Sequence, residues 1–437
     1  MFNKSIIVLA AGAGTRMKSD TPKVLHRISG KPMLYYSIKE ALKLSDDITV
    51  VLFHQAARVQ TEMEKYFKNI NYVIQDHANY PGTGGAVMNI TPKYPKVLVL
   101  NGDMPLIQAS ELEKFDIDAT IVMSVLELES ADGYGRVIIE NGNVKKIVEQ
   151  KDANAQELAI TTANAGIYQF ETKFLLENLA KLNNNNAQKE YYITDLIEMA
   201  IEQGKVLKPL AVNEENFKGV NSKVELADAE VIHQNRIKKE FLKAGVIMRL
   251  PDTIYIEEGV EIEGESIIEN GVSLLGNSKI INSHIKTNSV VEDSIVKDSD
   301  VGPMARIRPD SELNKTHIGN FVETKKAKLN GVKAGHLSYL GDCVIDEGTN
   351  IGCGTITCNY DGVNKHQTII GKNVFVGSDT QFVAPVNIED DVLIGAGSTV
   401  TGNVKKGELY LTRAKAKTID GYFYKHFDKA KKAKEEK

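Results

Sequence analysis

The chain has 437 residues, of which 42% are hydrophobic and 25% are charged, and its formal net charge is -5 at pH 7. This length exceeds what a single hydrophobic core supports, so two or three domains are expected in a soluble globular chain. The negative charge argues against a nucleic-acid partner, and no apolar run reaches the roughly eighteen residues of a membrane span. Three cysteines without paired zinc-ligand spacing fit reduced thiols, so we expect a cytoplasmic protein.

The first 225 residues alternate between short apolar runs and helical patterns. The apolar runs, each flanked by turns or polar residues, are Ile6–Ala11, Ile48–Phe53, Lys96–Asn101 and Thr120–Leu126. Helical candidates lie between them, such as Met33–Leu44 and Arg58–Phe67. This alternation predicts a mostly parallel sheet with helices on both faces.

A glycine turn follows the first predicted strand, where residues 10–17 read AAGAGTRM. The turn lacks the third glycine of a dinucleotide fingerprint and the Gly-Lys-Ser/Thr of a Walker loop. Backbone N–H groups at this edge of a parallel sheet can still cradle a phosphate, and Arg16 and Lys23 add positive charge. We therefore expect a phosphate-binding loop.

The third apolar run ends in Asn101-Gly102-Asp103, which places a carboxylate at the same edge of the predicted sheet. Taken alone, Asp103 is as easily the cap of the next helix as a metal ligand. The motif by itself leaves both functions open.

A charged helical segment runs from about 224 to 245 and is glycine-free up to Gly245, which stands at the position of a C-terminal stop. Beyond it, apolar residues recur at every sixth position. These positions are Ile256, Ile262, Ile268, Leu274, Ile280, Val301, Ile307, Leu313, Ile370, Val376, Phe382, Ile388, Ile394 and Val400. A period of six fits neither a helix nor an ordinary strand and is typical of a hexapeptide β-helix. We expect this β-helix over about 250–405, interrupted near 352–368 and followed by a solvated lysine-rich helix.

Residues 9–17 together with Pro22-Lys23-Val24-Leu25 resemble the signature of sugar-1-phosphate nucleotidyltransferases. Joined to a hexapeptide β-helix, the chain resembles the bacterial bifunctional family of N-acetylglucosamine-1-phosphate uridyltransferases and glucosamine-1-phosphate acetyltransferases. The resemblance covers nearly the whole chain. It implies an α/β, Rossmann-like nucleotidyltransferase domain at 1–223, a linker helix at 224–247, and a left-handed parallel β-helix acetyltransferase domain with a C-terminal tail at 248–437.

The resemblance also implies UTP and acetyl-CoA as co-substrates, and a product, UDP-N-acetylglucosamine, that supplies peptidoglycan and lipopolysaccharide synthesis. Asp103 and Asn221 match the ligands of a Mg²⁺ cofactor. The nucleotide- and sugar-phosphate-binding positions are Leu9, Ala10, Gly12, Arg16, Lys23, Gln75, Gly82, Thr83, Gly135, Glu149, Asn164 and Asn221. Among these, Gln75, Gly82 and Thr83 match the positions that read uracil, although Asn79-Tyr80-Pro81 is an insertion in the usual spacing.

For acetyl transfer, an amine that attacks a thioester must lose a proton, and histidine is the natural base near neutral pH. The segment Lys333-Ala334-Gly335-His336 resembles the family's catalytic segment and makes His336 that base. The matching sugar-phosphate positions are Arg308, Lys325, Tyr339, Asn350 and Lys365. The matching acetyl-CoA positions are Cys353, Asn359, Tyr360, Ser378, Ala396 and Arg413, with Cys353 where the family commonly has alanine.

The resemblance further implies a homotrimer with shared acetyltransferase sites and self-contained uridyltransferase sites. One alternative is a nucleotidyltransferase for ADP- or GDP-sugars whose β-helix is only regulatory. Such a chain would lack the segment that contains His336. A second alternative is a β-helix metalloenzyme, for which the ligand spacing of clustered histidines is missing.

Overall fold

The computed structural model describes residues 3–12, 14–131, 134–148, 150, 153–186 and 188–435. The chain forms two compact units, Met1–Glu240 and Phe241–Lys437.

The strands of the first unit, β1 to β11 in chain order, are Lys4–Ala10, Arg27–Ile28, Lys31–Pro32, Ile48–Leu52, Asn71–Ile74, Lys96–Asn101, Ile121–Glu127, Arg136–Glu140, Asn143–Val148, Thr162–Glu171 and Leu207–Ala211. Four of these strands, β1, β4, β6 and β7, correspond to the four predicted apolar runs. The helices α1 to α8 are Met33–Leu42, Ala56–Met63, Gly82–Val87, Ala109–Glu113, Ala155–Leu158, Thr172–Leu179, Asp195–Glu202 and Glu214–Phe217. Short 3-10 turns occupy Thr15–Met17 and Lys23–Leu25.

The central sheet has the strand order β11-β7-β10-β6-β1-β4-β5, and β8 and β9 extend it from β10. All neighbours along this path are parallel except β10, which is antiparallel to both β6 and β7. Alternate residues of β1 enter different cores: Ile6 packs with Leu34 of α1, and Ile7 packs with Phe174 of α6. The predicted mostly parallel sheet covered on both faces is therefore confirmed, with β10 antiparallel within the path and an antiparallel β8–β9 pair beside it.

Helix α9, Lys223–Lys243, is the predicted connecting helix. The hydroxyl of Ser222 accepts from the Glu225 N–H, and the Glu225 carboxylate accepts from Ser222 Oγ, so this pair caps the helix start. Arg236 donates to the carbonyl of Leu106, which attaches the helix to the first unit. Gly245 follows the helix with φ +96°, a left-handed conformation that suits glycine at a helix end.

The second unit is a stack of short parallel strands, with a 3-10 turn at Pro251–Thr253. One sheet contains Ile247–Met248, Ile267–Ile268, His284–Ile285, Asp300–Val301, His317–Asn320, Lys333–His336, Asn350–Ile351, Phe375–Val376, Leu393–Ile394 and Leu409–Tyr410. The other contains Tyr255–Ile256, Glu261–Glu263, Ser273–Leu275, Lys279–Ile281, Val290–Glu292, Ile295–Lys297, Arg306–Ile307, Glu312–Asn314, Glu323–Asn330, Tyr339–Ile345, Ile356–Cys358, Thr368–Ile370, Gln381–Val383, Val386–Ile388 and Thr399–Val400.

The fourteen predicted apolar anchors of the repeat are all buried. Register shows how they stack: Ile256 pairs with Leu274, and Leu274 pairs with Val291 one coil further. Parallel strands stacked coil on coil with a six-residue repeat are the architecture of the hexapeptide β-helix, so the predicted fold class is confirmed. The interruption is also present, as a loop closed by the isolated bridge between Tyr360 and Lys365.

The exposed helix Tyr422–Glu435, α10, is the last helix of the second unit. In the described part of the chain, no helix is both long and apolar enough to span a membrane.

Candidate active sites

The first cavity lies at the carboxyl ends of β1, β4, β5 and β6 and has a volume of about 400 Å³. Its lining residues are Leu9, Ala10, Ala11, Gly12, Lys23, Val24, Phe53, Gln75, His77, Gly82, Thr83, Ala86, Asn101, Asp103 and Glu190. Seven of the predicted nucleotide-binding residues are therefore brought together here, along with Asp103. Sequence reasoning missed Phe53 and His77, whose rings stack at 4.4 Å with an 11° interplanar angle. No local sequence motif predicts this pair, because Phe53 follows β4 and His77 follows β5.

The glycine loop is shaped around Lys23. Gly14 has φ +65°, and a Cβ at this position would lie 2.5 Å from Lys23 Cβ. A side chain at position 14 would collide with Lys23, so glycine at this position allows Lys23 to pack against the loop. A Cβ at Gly12 would contact nothing within 4 Å, so the turn leaves open space beside the cavity.

The Lys23 ammonium contacts both predicted magnesium ligands, Asp103 and Asn221. It pairs with the Asp103 carboxylate and donates to Asn221 Oδ1 at 2.9 Å. The side chains of Lys23 and Asp103 are 11% and 19% exposed, so water screens this pair only in part. The Asp103 carboxylate oxygen and the Asn221 amide oxygen thus both contact one cationic group. Oxygen atoms of these two kinds are the ligands that Mg²⁺ prefers.

Asn221 is held in position by its own neighbours. The Glu225 carboxylate accepts from the Asn221 backbone N–H at 2.7 Å, and Val220 N–H donates to the Asp103 carbonyl at 2.8 Å. Burial alone would raise the pKa of Glu225, but hydrogen bonds from Asn221 and Ser222 hold this pKa below its ordinary value. The Glu225 carboxylate therefore helps to hold Asn221 beside Asp103.

A second cavity, of about 500 Å³, meets the first at Asn101 and Asp103. Its lining residues are Arg16, Asn101, Asp103, Met104, Leu126, Tyr134, Asn164, Ala165, Glu214, Phe217, Lys218, Gly219, Asn221 and Glu225. Arg16 thus faces this cavity and not the first one. Asn164 accepts from Gly166 N–H at 3.0 Å, and its own N–H donates to the carbonyl of Gly135. The predicted sugar ligand Glu149 lies outside the described residues.

In the second unit, the predicted base and three predicted acetyl-CoA residues form a single file. His336, Cys353, Ser378 and Ala396 each come two residues after a buried anchor of the same sheet, on four successive coils. Backbone hydrogen bonds fix this alignment, from Gly354 to Leu337, from Asp379 to Cys353 and from Gly397 to Ser378. Successive members are therefore about 4.8 Å apart along the axis, the spacing of neighbouring strands. Arg413 extends the file, since its guanidinium donates to the Ala396 carbonyl at 3.4 Å.

The imidazole of His336 is exposed and has no hydrogen-bond partner among the residues that the structure describes. It is therefore open to a substrate on the outer surface of the coil. Asn350 shares its sheet but pairs with Lys333, three residues before His336.

A cluster of cations lies where the other sheet meets the loop that contains Lys365. Lys365 and Arg308 repel the Lys325 ammonium and lower the pKa of Lys325 below its ordinary value. Arg308 is only partly balanced, by a 2.7 Å hydrogen bond to Glu323. Tyr339, one coil further along the chain, pairs in register with Glu323. Three like charges held this close are a binding arrangement for a dianion such as a sugar phosphate.

The loop that supplies Lys365 is built around Asp361. The Asp361 carboxylate accepts from the backbone N–H groups of Val363 and Asn364 and from His366 Nε2 at 2.7 Å. These bonds lower the pKa of Asp361 to about 2. Asn359 is nearly buried and donates to Asp342, whereas Tyr360 is 60% exposed. The loop therefore has an anchored base and an exposed aromatic side chain.

Fold and sites together define a two-domain transferase, with a nucleotidyltransferase unit followed by a hexapeptide-repeat unit. The family model of nucleotidyl transferases matches residues 5–216, and the model of bacterial transferase hexapeptides (six repeats) matches residues 367–402.

Relatives match nearly the whole chain. It is 90% identical over 432 residues to "Bifunctional protein GlmU" of Aliarcobacter butzleri, covering 99% of this chain and 100% of the relative. The proteins of the same name from Wolinella succinogenes and Nitratiruptor sp. are 62% and 60% identical, over 98% and 97% of this chain and 100% and 99% of theirs. The chain belongs to the GlmU family, so the predicted family and its two transferase domains are confirmed.

Proposed function

We propose that the chain makes UDP-N-acetylglucosamine by two transfers at two separate sites. It first acetylates glucosamine-1-phosphate with acetyl-CoA, and it then transfers a uridylyl group from UTP to N-acetylglucosamine-1-phosphate and releases pyrophosphate. The observation that carries the nucleotidyl half is the junction of two cavities at Asp103. Full-length relatives that are named bifunctional support the pairing of two activities in one chain.

In the nucleotidyl site, the nucleotide occupies the first cavity and the sugar phosphate occupies the second. The attacking phosphate oxygen of the sugar and the α-phosphorus of UTP then meet beside Asp103. The P–O bond to the sugar phosphate forms as the bond to pyrophosphate breaks. Lys23 and Arg16 reach this junction from the two cavities and stabilise the charge on the phosphates.

Asp103 and Asn221 would hold Mg²⁺, and the fact that both oxygens already contact one cation, Lys23, supports the fit. A magnesium ion there would neutralise charge on the triphosphate. Among the described residues, there is no cluster of three or more His, Cys, Asp or Glu side chains suited to a metal, so this two-ligand pair is the candidate we favour.

In the acetyl-transfer site, the cation cluster of Arg308, Lys325 and Lys365 binds the phosphate of glucosamine-1-phosphate. His336 takes a proton from the sugar amine, the C–N bond to the acetyl group forms, and the C–S bond of acetyl-CoA breaks to release the thiol. The file from His336 to Ala396 offers the coenzyme an extended surface, so that its thioester lies at the histidine end. Asn359 and Tyr360 border this surface from the loop, and Tyr339 and Asn350 complete the sugar pocket.

We also propose a cytoplasmic homotrimer in which the acetyl-transfer sites are shared between chains. Support comes from the outer face of the β-helix, where Phe375, Leu393 and Leu409 stack on successive coils. These side chains are 54%, 46% and 59% exposed, which is a costly apolar stripe for a free monomer. Packing against further copies would bury them. UTP and acetyl-CoA, both cytoplasmic metabolites, fit this location.

The function is tested by incubating the protein with glucosamine-1-phosphate, acetyl-CoA, UTP and Mg²⁺ and following free thiol and pyrophosphate separately. We expect thiol release without UTP, and pyrophosphate release only when the acetylated sugar phosphate is formed or supplied. Light scattering should give about three times the chain mass of 48.2 kDa. A monomer with full acetyl transfer would refute the shared site.

A further inference from the structure

The side-chain amide of Gln75, which lines the nucleotide cavity, has a fixed orientation. Its Nε2 donates to the Tyr80 carbonyl at 2.9 Å and to the Gly82 carbonyl at 3.0 Å. Carbonyls only accept hydrogen bonds, so the NH₂ end of the amide must face them. The other end, Oε1, has no hydrogen-bond partner among the described residues, and Gln75 lines the cavity, so this oxygen is the end of the amide available to a bound base. Gln75 therefore presents an acceptor, and not a donor, to a bound base.

A compact turn holds the Tyr80 carbonyl in this place. The Asp76 carboxylate accepts from the Asn79 side chain at 2.7 Å and from the Asn79 N–H at 3.3 Å, and Tyr80 N–H donates to the Asp76 carbonyl at 2.8 Å. Asn79 and Tyr80 of this turn belong to the segment 79–81 that we predict to be an insertion in the family's usual spacing.

The far side of the turn is anchored as well. Tyr191 N–H donates to the Pro81 carbonyl at 2.8 Å, and the rings of Tyr80 and Tyr191 lie 5.9 Å apart. A Cβ at Gly85 would lie 2.0 Å from the Tyr80 oxygen, so only glycine leaves room for the carbonyl. The Tyr80 carbonyl is thus set from both sides.

We infer that the turn from Asp76 to Tyr80 is a specificity-determining element that fixes Gln75 as an acceptor and makes the site select uracil over cytosine. Uracil carries an N–H at ring position 3, which donates to Oε1. Cytosine carries a lone pair there, so two acceptors would face each other. Turning the amide over would cost both bonds to the turn. This inference rests on the proposed function of the cavity as a UTP site.

The test substitutes Asp76, which is exposed and does not line the cavity. Asp76→Ala removes both side-chain bonds to Asn79, and Asp76→Asn retains an acceptor for the Asn79 N–H. Glu64→Ala, which removes an exposed carboxylate that accepts from Gln60 elsewhere in the same unit, is the matched control. For each variant, kcat and KM are measured with UTP and with CTP by pyrophosphate release.

We expect Asp76→Ala to lower the ratio of kcat/KM for UTP over CTP by about 10-fold to 100-fold, mainly through the KM for UTP. Asp76→Asn should restore most of that ratio, and Glu64→Ala should leave it unchanged. If the turn had only a structural role, Asp76→Ala would lower kcat/KM equally for UTP and for CTP. An unchanged ratio in Asp76→Ala therefore overturns the inference, while the proposed uridyl transfer is not affected by that result. A wild-type protein that transfers no nucleotide from UTP overturns the proposed function itself.

Discussion

Gly377 lies between the buried anchor Val376 and the proposed acetyl-CoA residue Ser378, where two successive coils approach each other closely. A Cβ at this position would lie 2.4 Å from Ala396 N, 2.7 Å from Ala396 Cα and 2.8 Å from the Ile394 oxygen. All three atoms are backbone atoms of the next coil, so no side chain can turn aside. Gly377→Ala must push the coils apart.

The size of the effect follows from the distances. Ordinary contact begins at 3.4 Å, so the shortest distance falls short by roughly 1 Å. Opening the coils by that amount breaks the 2.8 Å bonds from Gly377 N–H to Ile394 and from Gly397 N–H to Ser378. Overpacking costs about 1–3 kcal/mol, and each lost bond costs about 0.5–1.5 kcal/mol. We expect a local loss of stability of about 2–6 kcal/mol and a higher KM for acetyl-CoA.

Hydrogen exchange followed by mass spectrometry measures this local loss of stability separately for each peptide. Amides over 375–400 should exchange about 30-fold to 25,000-fold faster in Gly377→Ala than in the wild type, while peptides of the first unit stay unchanged. Gly402→Ala is the control, because a Cβ there meets nothing within 4 Å, and it should be neutral or slightly stabilising. Equal exchange in the two variants would refute the stacked-glycine geometry.

Three further predictions concern charge and domain structure. Lys365 and Arg308 make the pKa of Lys325 lower in the folded protein than in the unfolded chain. When the pH is below the pKa of the folded state, the charged Lys325 therefore destabilises the fold, and this penalty disappears once the pH exceeds the pKa of the unfolded state. Lys325→Gln should therefore raise the urea midpoint at pH 7 and raise KM for glucosamine-1-phosphate; a lower midpoint contradicts the repulsion. Asp361, with a pKa of about 2, stabilises its loop above the unfolded pKa near about 4. That contribution should disappear as pH falls from about 4 to about 2, seen as faster exchange of loop amides. Fragments 1–245 and 246–437 should keep uridyl and acetyl transfer respectively, and two folded but inactive fragments would contradict this division.

The repeat was the part of the fold most accessible from sequence, because each inward position of a β-helix is set by one residue and its neighbours along the chain. The predicted strands were likewise found within one or two residues, since buried parallel strands are continuous apolar runs. The second helix is Ala56–Met63 where Arg58–Phe67 was expected, because the chain ends it in a turn at Tyr66 and Phe67 that bonds back to Met63.

Long-range pairing limited what the sequence could predict about the sites. Lys23 bonds to Asp103 and Asn221, which are 80 and 198 residues away, and no local pattern encodes these contacts. The same holds for the ring stack of Phe53 and His77. The sequence shows that residue 75 is a glutamine, but it does not show the direction of the amide, because this direction is set by the backbone carbonyls of Tyr80 and Gly82.

The central claim, two transfers at two independent sites, is tested most directly by crossing two variants. His336→Ala should lose acetyl transfer by about 10²-fold or more and keep uridyl transfer, and Asp103→Asn should show the reverse. Each is supplied with glucosamine-1-phosphate, acetyl-CoA, UTP and Mg²⁺, alone and mixed in equal amounts. The account predicts little UDP-N-acetylglucosamine from either variant alone and its recovery in the mixture, because the acetylated intermediate diffuses between sites. Loss of both activities in either folded variant would contradict it.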